Sequence, residues 1–229
     1  MKKFMALLLV AGMTLSLTAC GGSTDTAKTD QADGKDTFTV GFDQDFPPFG
    51  YVGDDGEFTG FDIEMATECA ARMGKKIVLQ PIDWDAKDME LEAGTIDCIW
   101  NGFTMNGRED QYTWTDPYMD NSQVVVVKKD SGINTLADLA GKVVEVQKES
   151  AAETALNDEE HADLMASFAQ LLSVGEYNTA FMDLESGAVD AVAIDIGVAQ
   201  FQIEGKEDQY QILDETISSE QYAVGFFLG

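Results

Sequence analysis

The chain has 229 residues, with 42 Asp or Glu against 14 Lys or Arg, and a formal net charge of −28 at pH 7. This acidity argues against a nucleic-acid partner, because phosphate binding needs clustered Lys and Arg side chains. An apolar fraction of 45% that includes 13 Phe residues argues against a disordered chain. The length predicts one large domain or two small ones.

The N-terminal residues are typical of a secretory signal. Two lysines precede an uncharged apolar segment, residues 4–19, which is short for a membrane-spanning helix. The segment ends in Leu-Thr-Ala before Cys20, which resembles the lipid-attachment site of bacterial lipoproteins. An ordinary signal with a chance cysteine is the alternative. We predict a signal peptide over 1–19, lipidation and membrane anchoring at Cys20, and a flexible polar tether over 20–36.

Strands and helices alternate along the rest of the chain. Apolar runs predict strands, and apolar residues at helical spacing predict helices. In chain order we predict a strand at 38–42, turns or a hairpin over 45–60, a helix over 61–73, a strand at 77–82, a helix over 85–93, and strands at 95–100, 124–127 and 143–147. This alternation indicates α/β architecture with mainly parallel strand pairing.

Two segments of the chain share one pattern. Residues 91–100 read LEAGTIDCIW and residues 184–193 read LESGAVDAVA, and each predicts a helix end, a Gly stop and a buried strand. A chance match of a common pattern is the alternative to two α/β lobes of similar plan. Ligands of open α/β sheets bind beyond the carboxyl ends of strands. We therefore expect Asn101 and Asp195, each at such an end, to face one cleft.

A helix is expected to begin at Ser150. Ser150 and Glu153 have the spacing of a capping box. A helix that starts here, directly after the 143–147 strand, would point free N–H groups at the cleft, where they could bind a carboxylate. A plain cap without a ligand is the alternative.

The remaining cysteines do not indicate a metal site. Cys69 is expected on a helix and Cys98 in a strand, so we predict two buried thiols, with a disulfide as the alternative. The chain has one His, His161, and no Cys spacing typical of metal ligands. We expect neither a metal nor another cofactor.

Several motifs in order resemble family 3 of the bacterial solute-binding proteins, the polar amino-acid receptors of ABC importers. They are Gly-Phe-Asp-Ile-Glu-Met at 60–65, Asp-x-x-Phe-Pro-Pro-Phe at 43–49 and Leu-Ala-Asp-Leu-Ala-Gly-Lys at 136–142. The resemblance covers about residues 37–229. It implies a two-lobed α/β clamshell, the fold of the periplasmic binding proteins, with two crossing hinge strands.

The same resemblance implies the domain boundaries. Lobe one is expected at about 37–123 plus 222–229, and lobe two at about 124–221. In the family the chain continues through further helices that complete lobe one. We therefore expect the C-terminal part of lobe one to be missing after the apolar run at 225–229.

An amino-acid zwitterion needs a cation for its carboxylate. Arg108 is the predicted clamp, because a guanidinium group pairs with a carboxylate through two parallel hydrogen bonds. The family places its carboxylate-binding Arg here. Ser150 and the N–H groups after it are expected to share the carboxylate. A surface ion pair between Arg108 and Glu109 or Asp110 is the alternative.

The ammonium group needs an anion. By resemblance, Asp195 accepts the ammonium, and a helix cap is its alternative or additional role. Gly102 is expected to contribute a backbone carbonyl and Thr104 a hydroxyl. Asn101, at the same strand end, completes this part of the predicted site.

The side-chain pocket is expected to select the ligand. By resemblance, Asp43 marks a basic or amide side chain, and Phe46 and Trp84 sandwich that side chain. A turn cap is the alternative role for Asp43, and core packing is the alternative for Trp84. Trp100 walls the pocket or lies buried in its strand. An acidic ligand is disfavoured, because Asp43 would oppose its carboxylate.

These features predict a receptor. We expect a monomeric, lipid-anchored extracytoplasmic protein that binds a polar L-amino acid, with a basic side chain favoured and an amide as the alternative. By resemblance, it closes about a hinge and delivers the ligand to an ABC permease. The alternative is an exported enzyme on the same fold, similar to a cyclohexadienyl or arogenate dehydratase. That enzyme would need a general acid, for which Glu149 is the candidate.

Overall fold

Two β-sheets with helices packed on them form the part of the chain that the structure, a computed structural model, describes, residues 36–229. The predicted signal peptide, the lipidated Cys20 and all but the last residue of the tether lie outside these residues. Between residues 36 and 229, no helix combines the length and hydropathy needed to cross a bilayer.

The elements follow the predicted alternation closely. In chain order the strands are β1 (Thr37–Phe42), β2 (Asp45–Phe46), β3 (Gly50–Val52), β4 (Phe58–Thr59), β5 (Lys76–Pro81), β6 (Cys98–Ile99), β7 (Thr113–Trp114), β8 (Met119–Lys128), β9 (Val143–Gln147), β10 (Gln170–Val174), β11 (Ala191–Asp195), β12 (Tyr210–Ile212), β13 (Ser218–Tyr222) and β14 (Gly225–Phe226). The α-helices are α1 (Phe61–Arg72), α2 (Lys87–Ala93), α3 (Ala151–Leu156), α4 (Ala162–Ser167), α5 (Tyr177–Ser186) and α6 (Ile196–Ile203). Short 3₁₀ helices occupy Trp84–Ala86, Leu136–Leu139 and Glu159–His161.

Lobe one consists of a five-stranded sheet, a small hairpin sheet and helices α1 and α2. The large sheet has the order β5-β1-β6-β14-β7, and β2, β3 and β4 form the hairpin sheet. Ala66 and Ala70 of α1 pack against Phe38 and Val40 of β1 in a buried cluster. This cluster is the core between α1 and the large sheet of lobe one.

Lobe two is a second sheet covered by helices on both faces. Its order is β10-β9-β11-β8-β12, with β13 also paired to β8. Val124 and Val126 pack with residues of α5 and α6, whereas Val125 and Val127 pack with residues of α3. All four valines are buried, which is typical of a central strand with both faces covered. Burial of each contributes on the order of 1.5–3 kcal/mol.

Strands β8 and β13 run side by side between the two lobes. Residues 119–123 of β8 pair with β13, and residues 123–128 pair with β11 and β12. Tyr222, the last residue of β13, also bridges to Thr104 of lobe one. The predicted boundaries at 123/124 and 221/222 fall within β8 and at the end of β13, and they stay a prediction.

The predicted preference for parallel pairing holds for part of each sheet. β1 is parallel to β5 and β6, and β9 is parallel to β10 and β11. β7, β8, β12, β13 and β14 all pair antiparallel within these sheets. Parallel neighbours need long crossovers that contain helices, and the strands at the lobe connections have none.

The two similar segments of sequence fold alike, which confirms the predicted helix–Gly–strand plan. α2 ends before Gly94, with a φ of 69°, and α5 ends before Gly187, with a φ of 82°. Left-handed glycines are common helix terminators because they lack a Cβ. The strands that follow, β6 and β11, both end at the cleft.

Both remaining cysteines are free thiols. Cys98 is buried in β6, as expected for a small apolar residue. Cys69 is half-buried on α1.

Gly60→Ala should destabilise the fold more than Gly56→Ala. Gly60 precedes α1 at φ 125° and ψ 166°, a region that is essentially restricted to glycine. A Cβ there would lie 2.3 Å from the carbonyl oxygen of Phe49. At Gly56, φ is 82° and a Cβ would meet nothing within 4 Å.

Equilibrium urea unfolding measures the difference. We expect Gly56→Ala to cost about 1–2 kcal/mol and Gly60→Ala at least about twice that, because the backbone near Phe49 must move. Equal costs for the two variants would contradict this account of Gly60.

Candidate functional site

All nine residues predicted to bind a ligand line one pocket between the lobes. They are Asp43, Phe46, Trp84, Asn101, Gly102, Thr104, Arg108, Ser150 and Asp195. The cavity among these residues has a volume of about 10 Å³. The two lobes are therefore closed on each other. The ligand role of these residues stays a prediction.

Arg108 lies at one end of the pocket and is buried, with 9% of its surface exposed. Its Nη1 donates to the carbonyl oxygen of Thr104 at 3.2 Å, and its Nη2 donates to that of Glu149, in lobe two, at 3.3 Å. The guanidinium lies 5.4 Å from the centre of the Phe103 ring. Within residues 36–229 it has no ion pair, so the alternative of a surface pair with its acidic neighbours is wrong.

The start of α3 faces this end of the pocket. Ser150 is its N-cap, and the Oγ of Ser150 accepts a hydrogen bond from the Glu153 N–H at 3.1 Å. The Glu153 side chain accepts from the N–H of Glu149, the residue before the cap, at 2.6 Å rather than from that of Ser150, so only half of the predicted capping box forms. Glu149 has a φ of 60°, which is uncommon for a residue other than glycine. Backbone strain of this kind clusters at functional sites.

Asp195 lies at the other end of the pocket, where β11 ends. It occupies the N-cap position of α6, but its side chain makes no capping hydrogen bond. Instead Oδ1 accepts from Asn121 Nδ2 at 2.6 Å, Gln123 Nε2 at 2.7 Å and the Tyr222 hydroxyl at 2.6 Å. Burial first, and the Glu220 carboxylate second, raise the pKa of Asp195.

Gly102 needs its lack of a side chain. Its φ is 55°, and a Cβ would lie 2.9 Å from Phe46 Cε1. Its N–H donates to Asp62 Oδ2 at 2.5 Å, and the same oxygen accepts from the Tyr118 hydroxyl at 2.9 Å. Asp62, in the 60–65 motif, therefore fixes the turn at the pocket wall. Burial raises the pKa of Asp62 to about 7.

Asp43 has two roles. Its Oδ1 accepts from the Asp45 N–H at 2.8 Å and so caps a turn, while Oδ2 accepts from Gln147 Nε2 of lobe two at 2.7 Å. Burial raises the pKa of Asp43 to about 6. Beside it, Trp84 lines the pocket and also packs edge-on against Phe103, with ring centres 5.5 Å apart.

Phe46 joins the two lobes at the pocket wall. Its ring centre lies 6.1 Å from that of Tyr177 in lobe two. Trp100, in contrast, belongs to the core of lobe one and does not line the pocket. Of its two predicted roles, the buried strand position is therefore the correct one.

A second, acidic cavity opens beside the pocket and shares Asp43 and Trp84 with it. Its volume is about 530 Å³. The other charged residues of its lining are all acids: Asp45, Asp83, Asp85, Glu90 and Glu176. A cavity lined by one sign of charge attracts the opposite sign, so this side of the site favours cations.

Polar contacts hold the rim of the two lobes together. Lys148 Nζ of lobe two lies 2.7 Å from Asp85 Oδ2 of lobe one. Asn178 Nδ2 donates to Asp45 Oδ1 across the same rim at 2.9 Å. Both contacts involve exposed side chains, so each contributes little to stability.

Six residues at or behind the pocket were not predicted from the sequence. Gln147 and Ala151 line it, and Asp62, Asn121, Gln123 and Glu220 hold its walls. A signal existed for Asn121 and Gln123, because polar residues two apart before an apolar strand share one face. Glu220 and Tyr222 show the same spacing on the partner strand.

Two α/β lobes with a buried, oppositely charged pocket between them define a class of proteins that close on small ligands. The model of the bacterial extracellular solute-binding proteins, family 3, matches residues 38–180. The chain belongs to this family. The predicted family and two-lobed fold are therefore confirmed.

Known relatives are binding proteins rather than enzymes. The L-cystine-binding protein TcyJ of Escherichia coli strain K12 is 29% identical over 228 residues, 98% of this chain and 82% of the relative. The arginine-binding extracellular protein ArtP of Bacillus subtilis strain 168 is 36% identical over 148 residues, 64% of this chain and 56% of the relative. An ABC uptake transporter substrate-binding protein from Streptococcus pneumoniae, solved with bound histidine, superposes with a TM-score of 0.79 at 34% identity, covering 84% of this chain and 80% of that one.

Asp62 should make the fold less stable as the pH rises. Its folded-state pKa is raised to about 7, so the native state holds a proton that the unfolded state has released. The contribution of the protonated group is complete below about pH 4 and is lost as the pH rises through 7. Asp62→Asn should therefore reduce the fall in unfolding free energy between pH 4.5 and 8.

Urea unfolding at a series of pH values tests this expectation. Asp54→Asn is the control, because it removes one exposed charge from a hairpin turn. Its unfolding free energy should decrease between pH 4.5 and 8 by the same amount as that of the wild type. The account of Asp62 fails if both variants follow the wild-type profile.

Proposed function

We propose that this protein is an extracytoplasmic receptor that binds a polar L-amino acid in the cleft between its lobes, with a basic side chain favoured over an amide. The observation that carries the proposal is the placement of Arg108 and Asp195. They come from opposite lobes, line the same pocket and are both buried. A zwitterion supplies both missing partners, a carboxylate for Arg108 and an ammonium group for Asp195.

Closure follows from the same placement. A ligand shifts an equilibrium between open and closed forms only if it binds one form better. A zwitterion that contacts both Arg108 and Asp195 does so in the closed form alone. The carboxylate would also meet the start of α3 at Ser150 and Ala151, which line the pocket beside Arg108. Hinge closure around a ligand is a common transition of two-lobed binding proteins.

The walls beyond the zwitterion site support a cationic side chain. Asp43 is buried in the pocket, and the acidic cavity continues from it. Phe46 and Trp84 provide apolar and aromatic surface for an aliphatic stem. The relatives named above bind different amino acids: cystine, arginine and histidine. The preference for a basic ligand in this chain therefore rests on the chemistry of its own pocket.

The location and partners form part of the proposal. Members of this family are extracellular solute-binding proteins, which supports an extracytoplasmic location. Cys20 after the predicted signal peptide supports a lipid anchor at the membrane surface, from which a monomeric receptor would hand its ligand to an ABC permease.

No observation favours the dehydratase alternative. The Glu149 side chain is 55% exposed and its Oε2 lies 3.9 Å from Lys87 Nζ. An exposed carboxylate beside a lysine is poorly suited to act as a general acid.

A thermal-shift screen of the twenty amino acids and ornithine tests the proposal. A ligand at 100 times its Kd stabilises by about 2.7 kcal/mol, which corresponds to a shift of about 5–10 °C for a chain of this size. We expect the largest shifts from the basic amino acids. Stabilisation by Glu or Asp alone would contradict the pocket assignment.

The same screen on two variants separates the site from general effects. Asp195→Asn should abolish the shift, because the ammonium group loses its charged partner. Asp208→Asn, an exposed residue of lobe two, is the matched control and should keep it. An unchanged shift in Asp195→Asn would refute the ammonium assignment.

A further inference from the structure

A second buried carboxylate lies behind the ammonium end of the pocket. Glu220 of β13 is 7% exposed. Its Oε1 accepts from Asn121 Nδ2 at 2.6 Å and from Gln123 Nε2 at 2.7 Å. The same two amide nitrogens donate to Oδ1 of Asp195. The two carboxylates therefore share both donors and lie close together.

Glu220 reaches the pocket through Thr104. The Thr104 hydroxyl lines the pocket and donates to Glu220 Oε1 at 2.7 Å. Glu220 itself is not part of the pocket lining. It can therefore affect a ligand by setting the charge and orientation of Thr104 and Asp195.

The side chains that donate hydrogen bonds to this acid pair are neutral. Tyr222 donates its hydroxyl to Asp195, and the buried Tyr177 lies within electrostatic range of both acids. Arg108 donates to the backbone carbonyl of Thr104. Within the described residues, no Lys, Arg or His forms an ion pair with Asp195 or Glu220.

Two carboxylates in one buried site cannot both ionise at low cost. Burial and mutual repulsion each disfavour the second negative charge. The amide donors stabilise one charge but bring no positive charge of their own. Burial and the Glu220 carboxylate therefore raise the pKa of Asp195 to about 7.

We propose that Glu220 is a positioning residue of the ammonium site, whose carboxylate makes Asp195 hold a proton and exchange it for the ammonium group of the ligand. In this exchange the carboxyl O–H bond of Asp195 breaks and the proton passes to solvent. The ligand N–H groups then donate to the Asp195 carboxylate, and no electrons are transferred. The inference rests on the proposed function, because it needs an amino-acid ligand.

The exchange makes affinity depend on pH. Below the pKa of Asp195, the proton competes with the ammonium group, so Kd rises by up to about tenfold per pH unit as the pH falls. Above that pKa the competition ends and Kd levels off. A ligand without a cationic nitrogen gains nothing from the pair.

Calorimetry at pH 7, where Asp43 with a pKa of about 6 is largely ionised, is run in two buffers of different ionisation enthalpy and counts the protons released when the amino acid with the largest thermal shift binds. We expect about half a proton for the wild type, because the pKa of Asp195 is about 7. For Glu220→Gln we expect less than half the wild-type count and a Kd that changes less between pH 5 and 8. Asp120→Asn removes an exposed charge from the paired strand β8 and should match the wild type.

A second measurement needs no variant. The infrared difference spectrum of the wild type at pH 7, where Asp43 is largely ionised, should show a loss of the band of a protonated carboxyl group on ligand addition. Binding without proton release, or a Glu220→Gln variant with the wild-type proton count, would overturn the role of Glu220 and leave the receptor function intact. Absence of binding to any amino acid would overturn the proposed function itself.

Discussion

Arg108 and Asp195 are buried ionisable side chains, and neither has an ion pair among the described residues. A buried charge without a partner of opposite sign is costly, and hydrogen bonds offset part of that cost. The carbonyl groups of Thr104 and Glu149 serve Arg108, and amide and hydroxyl donors serve Asp195. These neutral partners provide hydrogen bonds but no opposite charge. A zwitterion can supply that opposite charge at both ends.

In the closed form, the fold brings those two groups to one pocket. Each lies beyond the carboxyl end of a strand, β6 or β11, in its own lobe, and β8 and β13 connect the lobes through buried polar side chains. Asp62 fixes the turn at Gly102, and Gln147 of lobe two bonds Asp43 of lobe one. Closure thus brings groups of opposite charge to the two ends of one small pocket. The acidic cavity beside Asp43 favours a ligand whose side chain is positively charged.

The sequence could predict what depends on local pattern and family motif. The repeated helix–Gly–strand segments indicated both strand ends, and these ends placed Asn101 and Asp195 correctly. The acid pair with Glu220 was not predictable in this way, because β13 pairs with β8 about a hundred residues earlier in the chain. The first five residues of β8 are also mostly polar, so an apolar pattern did not identify them as part of the strand. Long-range pairing of polar strands leaves no local signal of which residues meet.

Calorimetry with ligand analogues tests the central claim, that one pocket binds both ends of a zwitterion. The amino acid with the largest thermal shift is compared with its decarboxylated amine and its N-acetyl derivative. A site that loses a buried polar partner rejects the analogue strongly, so each should bind at least about a hundredfold more weakly. Either analogue binding within about threefold of the amino acid, a difference of roughly 0.7 kcal/mol, would contradict the account.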